Sequence, residues 1–97
     1  MSYRLRFHEL ALAEWRKLDG SAREPLKKKL EERLNNPRVP SAALSGMPDC
    51  YKIKLKRIGY RLVYRADDDV VFVTVIGVGN RDKQQVYESA QSRPRKS

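Results

Sequence analysis

The chain predicts an α+β domain with the element order β-α-α-β-β-β-α and a mainly antiparallel four-stranded sheet. Two observations carry this reading. Apolar residues recur at helical spacing in two successive stretches between positions 9 and 34, and three strand-like runs follow between 51 and 78, separated by turn residues. Helices grouped ahead of a run of antiparallel strands pack on one face of the sheet, which is the α+β arrangement. The 97 residues suffice for one modest core, so residues 1–97 are read as a single domain. No internal repeat divides it.

Each element has its own signal. Tyr3 to Phe7 alternates apolar and basic residues, the period of a short half-buried strand. From about Glu9 the period changes: Ala11, Trp15 and Leu18 share a helical face, and Asp19-Gly20 ends that helix as a turn pair. Ser21 with Glu24 fits a capping box for a second helix, with Pro25 tolerated in its first turn. Leu26, Leu30 and Leu34 form its apolar stripe, and Asn35-Asn36-Pro37 stops it. Arg38 to Asp49 is a loop.

Tyr51, Ile53 and Leu55 then point one way while Lys52, Lys54 and Lys56 point the other. A turn at Ile58-Gly59 leads into Tyr60 to Arg65, and Asp67-Asp68-Asp69 makes the next turn. Val70 to Val78 is apolar nearly throughout, as expected of a central strand covered on both faces. A short C-terminal helix from Asn80 carries Val86 and Ala90 inward, and residues 91–97 form a frayed basic tail.

Charge is the unusual property. Lys and Arg number 21 against 12 acids, a net charge of +9 with a pI near 10.0, which points to a polyanionic partner. The charge concentrates in Tyr51 to Arg65 (YKIKLKRIGYRLVYR), with six Lys or Arg and no acid. A tight turn sets Leu55 opposite Leu62 and Ile53 opposite Tyr64. It then sets Lys56 opposite Arg61 and Lys52 opposite Arg65, with Lys54 between. Like charges facing each other across a sheet repel, so folding alone gives no reason to collect them. The face is either a solvated guard against edge pairing or a polyanion-binding surface, and the convergence favours the second. The run Lys27, Lys28, Lys29 reads as solvated helix surface, with RNA-backbone binding as the alternative.

Other chemistries find little support. His8 is the only histidine and reads as a cap or surface residue, which excludes a two-histidine acid–base pair. The three aspartates lack the glycine and terminal glutamate of a calcium loop, and Gly77-Val-Gly79 lacks the third glycine of a dinucleotide fingerprint. No metal and no cofactor are expected. Cys50, the only cysteine, reads as a small buried hydrophobe in a reducing compartment. No apolar run is long enough to span a bilayer and the N-terminal residues carry no apolar signal core, so the expectation is a cytoplasmic protein without a membrane partner.

Four stretches, LAEWRKLDGSAREPLKKK (12–29), GMPDCYKIKL (46–55), GYRLVY (59–64) and RDKQQVY (81–87), closely resemble the RelE toxins of bacterial toxin–antitoxin pairs. The likeness runs in register from Tyr3 to about Ala90. It implies an endoribonuclease that cuts messenger RNA in the A site of the 70S ribosome. It also implies an acidic RelB-type antitoxin that neutralises the toxin and joins it in repressing their operon, operator DNA being bound only through that complex. The family's active-site positions fall on Lys52, Lys54, Arg61, Arg81 and Tyr87. Lys27, Lys28, Lys29, Lys56 and Arg65 are the further candidates for RNA or ribosome binding. The chain departs from the family pattern at Ala43, Ser45 and Asn80, where basic residues can stand.

In the chemistry this implies, the ribose 2′-hydroxyl attacks the phosphodiester without a metal. Lys54 is the candidate base, since neighbouring cations disfavour its protonated form. Lys52 and Arg61 would hold the phosphate and its developing charge, Arg81 would stabilise or protonate the leaving oxygen, and Tyr87 would stack on a base or orient the 2′-hydroxyl. Two alternatives stand beside this reading: a ParE-like toxin acting on DNA gyrase, and a non-enzymatic nucleic-acid-binding module on the same basic sheet.

Overall fold

The computed structural model describes residues 2–80, and within them the expected order appears. Strand β1 (Arg4–Phe7) leads to helices α1 (Glu9–Arg16) and α2 (Gly20–Asn35), then to strands β2 (Cys50–Leu55), β3 (Tyr60–Asp67) and β4 (Phe72–Asn80). The sheet runs β1-β4-β3-β2. Strand β1 lies parallel to β4, and the other two pairings are antiparallel. The expected C-terminal helix, Arg81, Tyr87 and the tail at 91–97 lie outside the described residues.

Both helices cover one face of the sheet. Ala11, Leu18, Ala22, Leu26 and Leu30 meet Ile53, Leu62, Tyr64, Val73 and Val75 in one buried cluster. Each large side chain removed from water there is worth roughly 1.5–3 kcal/mol. His8 caps α1, its Nδ1 accepting from the Leu10 N–H at 3.2 Å.

The second helix begins earlier than the capping box suggested. Asp19 is its cap, accepting the Ala22 N–H, and the Ser21 hydroxyl donates to Asp19 Oδ1 at 2.6 Å. A carboxylate at this position satisfies a free helical N–H and meets the positive end of the helix dipole, so it outcompetes the serine two residues on. Pro25 consequently sits in the second turn rather than the first. Its side is exposed, where water can serve the carbonyl that its missing N–H leaves free.

The central strand is β4, buried on both faces from Val73 to Val78. It starts two residues later than its composition suggested, because Val70 and Val71 form the exposed turn and Val71 takes a left-handed φ of 57°. A register shift between Val63 and Tyr64 leaves Ile76 as the extra residue of β4 and turns it toward the face away from the helices. There it packs with Met47, Cys50 and Val63 under the loop that carries Leu44. Cys50 is buried, as its composition argued.

Further along that face lies a polar network that the sequence reading missed. Arg65 pairs across the ladder with Cys50, not Lys52, and only 5% of it is exposed. Its Nε donates to Asp67 Oδ1 at 2.8 Å, while the Thr74 hydroxyl and Arg6 donate to Asp67 Oδ2 at 3.0 and 3.4 Å. Arg65 is therefore no part of the exposed basic surface. Asp67 is a buried strand residue rather than a solvated turn: an arginine turned into a low-dielectric site needs its counter-charge beside it. Asp68 does lie in the turn, accepting from the Tyr3 hydroxyl at 2.7 Å and from Arg38.

Burial opposes ionisation of Asp67, but the hydrogen bonds and charge from Arg65, Thr74 and Arg6 outweigh it and hold the carboxyl below its usual range. A carboxylate depressed on folding contributes stability that is present above its unfolded pKa and lost as pH falls through the folded one. Asp67→Asn is expected to flatten the acid limb of the stability–pH curve. Asp67→Ala, which strands Arg65, should cost about 3–5 kcal/mol in denaturant unfolding.

Candidate active site on the basic hairpin

The β2–β3 hairpin fixes where the cations go. Four residues, Lys56 to Gly59, form its turn, with Gly59 at a φ of 73° and its N–H donating to the Leu55 carbonyl at 2.8 Å. The longer turn sets Leu55 opposite Tyr60, Lys54 opposite Arg61 and Lys52 opposite Val63. This corrects the expected alignment by two residues. Faces are unchanged because side chains alternate with a period of two, so only the axial pairing moved. Lys56 falls in the turn, and Lys54 takes its expected place facing Arg61.

Lys54 is exposed, and Lys52 and Arg61 are half-buried on the same face. The charge of Lys52, then that of Arg61, then partial desolvation, lower the Lys54 pKa from its ordinary value. A small cleft of about 110 Å³ lies against Lys54, Lys56, Tyr60 and Arg61. Across the ladder from Arg61 stands Gly79, which contributes no side chain to this face. The glycines at 77 and 79 are thus elements of the basic face itself, a role their failed match to a dinucleotide motif concealed. The arrangement supplies a lysine whose neutral form is brought within easier reach, beside two cations able to hold a phosphate.

Two arginines steady this hairpin, and neither was singled out in the sequence. Arg33, in the last turn of α2, donates to the Lys52 carbonyl at 3.3 Å and to the Tyr64 hydroxyl at 2.9 Å. Tyr64 in turn donates to the Pro37 carbonyl at 2.6 Å. The helix end, the loop after it and the backbone of Lys52 are therefore tied together. Arg38 donates to the Tyr51 hydroxyl and pairs with Asp49 and Asp68, joining the loop before β2 to the β3–β4 turn. No position in an alternating pattern distinguishes such arginines from solvated ones. Among the described residues, no group of three His, Cys, Asp or Glu could hold a metal ion, and no helix is long and apolar enough to cross a membrane.

The three lysines of α2 separate. Lys27 and Lys28 border a depression with Glu24 and Glu31, whereas Lys29 borders a groove shared with Lys54. Of the expected set, the structure brings Lys52, Lys54 and Arg61 together, with Lys56 at their margin. It removes Arg65. Arg81 and Tyr87 lie outside the described residues.

With this geometry in hand, comparison with known proteins decides the family. The sequence profile of the ParE toxin of type II toxin–antitoxin systems matches residues 5–85. The chain belongs to this toxin family. Within it, the chain is 56% identical to the mRNA interferase toxin RelE of Escherichia coli over 96% of its own length and 98% of the relative's. A double-arginine mutant of that E. coli toxin, solved in the free state, superposes with a TM-score of 0.90 at 55% identity, covering 96% of this chain and 98% of the other. RelE in the intact E. coli RelBE toxin–antitoxin complex matches at 58% identity and a TM-score of 0.80, over 81% of this chain and 96% of that one.

The electrostatic cause of the Lys54 shift can be tested without any substrate. In an NMR titration its ammonium should lose its proton at lower pH than an ordinary lysine side chain does. Lys52→Ala or Arg61→Ala should move that midpoint upward, Lys52→Ala by more. An unmoved midpoint in both variants would remove the electrostatic account of Lys54.

Proposed function

We propose that this chain is a RelE-type toxin: a ribosome-dependent endoribonuclease that cuts messenger RNA in the ribosomal A site and is held in check by a RelB-type antitoxin. The observation that carries this is the pairing of Lys54 with Arg61 beside Lys52, in a chain that retains the family's Arg81 and Tyr87. The 56% identity to an mRNA interferase supports it.

In the proposed reaction Lys54 takes the proton of the ribose 2′-hydroxyl. The oxygen attacks the adjacent phosphorus, and Lys52 and Arg61 stabilise the charge that develops on the phosphorane. As the phosphorane collapses to a 2′,3′-cyclic phosphate, the bond to the 5′-oxygen breaks. Arg81 stabilises that departing oxygen, which takes up a proton, and Tyr87 stacks on a base or orients the 2′-hydroxyl. Strand β4 ends at Asn80 opposite Tyr60, at the end of the sheet that holds Lys54 and Arg61. No metal or cofactor takes part, and the protein acts in the cytoplasm. Lys29 and Lys56 would grip RNA, and Lys27 and Lys28, set beside two glutamates, would add less. The antitoxin complex would repress the operon by binding operator DNA.

The family profile is named for the ParE toxin, which keeps a second reading beside the first, a ParE-like toxin acting on DNA gyrase. Primer extension on a translated messenger separates the two. Under the ribonuclease reading, added protein produces cuts only on ribosome-bound message. Intact message together with inhibited DNA supercoiling would replace it with the gyrase reading. Lys54→Ala is expected to slow cleavage about 10²–10⁴-fold, the range for a missing general base, at unchanged ribosome occupancy. Arg81→Ala and Tyr87→Phe should also reduce it severely. Cleavage should rise with pH until Lys54 is neutral. Full activity of Lys54→Ala would overturn its role.

We infer that inhibition comes from another chain with chemistry opposite to this one. A net charge of +9 calls for an acidic antitoxin segment, disordered alone and folding as it wraps the domain. Its association rate should fall steeply with salt. Co-expression of the adjacent open reading frame should restore growth and yield a co-purifying complex; a neighbour that does neither would remove this partner assignment.

A further inference from the structure

The basic surface does not stop at the hairpin. Between α2 and the β2–β3 turn lies a groove of about 510 Å³, a volume in the range that holds small ligands. Among the described residues it is lined by four cations, Lys29, Lys54, Lys56 and Arg57, and by no acid. Pro25, Leu55 and Ile58 supply apolar surface, and Ile58 is 41% exposed. The groove shares Lys54, Leu55 and Lys56 with the smaller cleft that reaches Arg61. The two form one continuous track.

The groove runs beside the free edge of the sheet. The carbonyls of Cys50 and Lys52 point outward from β2, taken by the Leu44 N–H and by Arg33. Backbone groups of alternate residues share a side, so those of Lys54 face the same way. Nothing in the packing of the core asks for Lys29 and Arg57 at this place. Lys29 follows two lysines that sit among glutamates, yet it alone of the three turns to the acid-free side. Cations over an apolar floor match single-stranded RNA, whose phosphates take the charges and whose base lies against apolar surface.

We propose that this groove is a nucleotide subsite: it seats the RNA residue adjoining the scissile phosphate, with Lys29 and Arg57 gripping its backbone and Ile58 and Pro25 receiving its base. The assignment rests on the ribonuclease reading. Lys29 and Arg57 are binding and positioning residues here, and the chemistry stays with Lys54. Their charges are not among the principal causes that lower the Lys54 pKa, which are Lys52, Arg61 and Lys56. Removing them should therefore weaken substrate capture without moving the pH at which the base works.

The test uses the full chain on ribosomes programmed with one message, with Lys29→Ala/Arg57→Ala set against a charge-matched control, Arg4→Ala/Arg16→Ala. Arg4 lies on the opposite edge strand, and Arg16 ends the helix packed over β4 and β1. The groove variant should fall about tenfold in single-turnover kcat/KM relative to the control, with its pH midpoint unchanged. Its salt dependence should flatten by roughly 0.7 in log–log slope for each phosphate that the variant no longer neutralises. Equal kcat/KM in the two variants would overturn the subsite, as would a tenfold fall accompanied by a shifted pH midpoint.

A second arm does not need cleavage. The unmodified protein is acetylated with and without a short single-stranded RNA carrying a 2′-deoxy residue at the cleavage position. Protection of Lys29 and Lys56 but not Lys17 supports the groove. Equal labelling of Lys29 overturns it even where the wild-type chain cuts message. Protection of Lys29 in a chain that cuts nothing even on ribosomes leaves a groove that only binds RNA, and overturns both the subsite and the enzymatic reading.

Discussion

Lys54 faces Arg61 across the β2–β3 ladder, and everything specific to this domain depends on that repulsive pair being held. Two like charges directly opposite each other destabilise a sheet by a few tenths to about 1 kcal/mol. The other face of the same strands overrides that cost. Ile53 and Leu62, which pair one step along, are 1% and 0% exposed, and burying both outweighs the repulsion several-fold. A slip of one residue would bury the lysines and expose the core, so the packing that stabilises the fold also enforces the charge cluster. The charge of Lys52, and after it that of Arg61, depresses the Lys54 pKa, so the repulsion within the cluster and its chemical use are one effect.

The sheet alone would leave β2 as a mobile edge. Arg33 removes that freedom at Lys52 by bonding the strand's own carbonyl, and the Tyr64 hydroxyl relays the same contact to Pro37. Arg38 likewise ties Asp49 and Tyr51, at the entry to β2, to Asp68 in the β3–β4 turn. Partly exposed ion pairs of this kind contribute little stability singly. Their value is geometric, because they fix the backbone from which the lysines project. A charge cluster works only if its members cannot drift apart, and the drift is restrained from the backbone rather than from the side chains.

What could be read in the sequence follows from which physical rules are local. The order of elements and the faces of β2 and β3 were legible because periodicity and burial act along the chain. Axial register was not, since it depends on whether the turn holds two residues or four, and Gly59 is compatible with both. Arg65 was misplaced for a related reason. Its alternation puts it on the basic face correctly, but that face is exposed only at the Lys54 end and closes over Asp67 and Thr74 at the other. The helix cap was missed because Asp19-Gly20 reads equally as the end of one helix and the start of the next. Arg33 carries no signal in one dimension, its partners lying on strands far along the chain, and nothing along the chain sets Lys29 apart from Lys27 and Lys28.

The proposed chemistry also explains how such a site could be carried safely by a protein whose net charge of +9 favours polyanions. None of its groups titrates near neutrality when unperturbed, although the charges of Lys52 and Arg61 lower the pKa of Lys54. A strand of RNA that merely adheres to the basic face keeps its 2′-hydroxyl in many orientations, few of them in line with the phosphorus. Fixing that geometry is worth about 7–11 kcal/mol in favourable cases, far more than the hairpin's charges can add by themselves. The large term must then come from whatever immobilises the message, and the small term from Lys54 and its neighbours. Separating the two confines cleavage to RNA that is already gripped and distorted. On this proposal attraction to RNA would be set by total charge and orientation by a partner, so binding could be general while cutting stayed local.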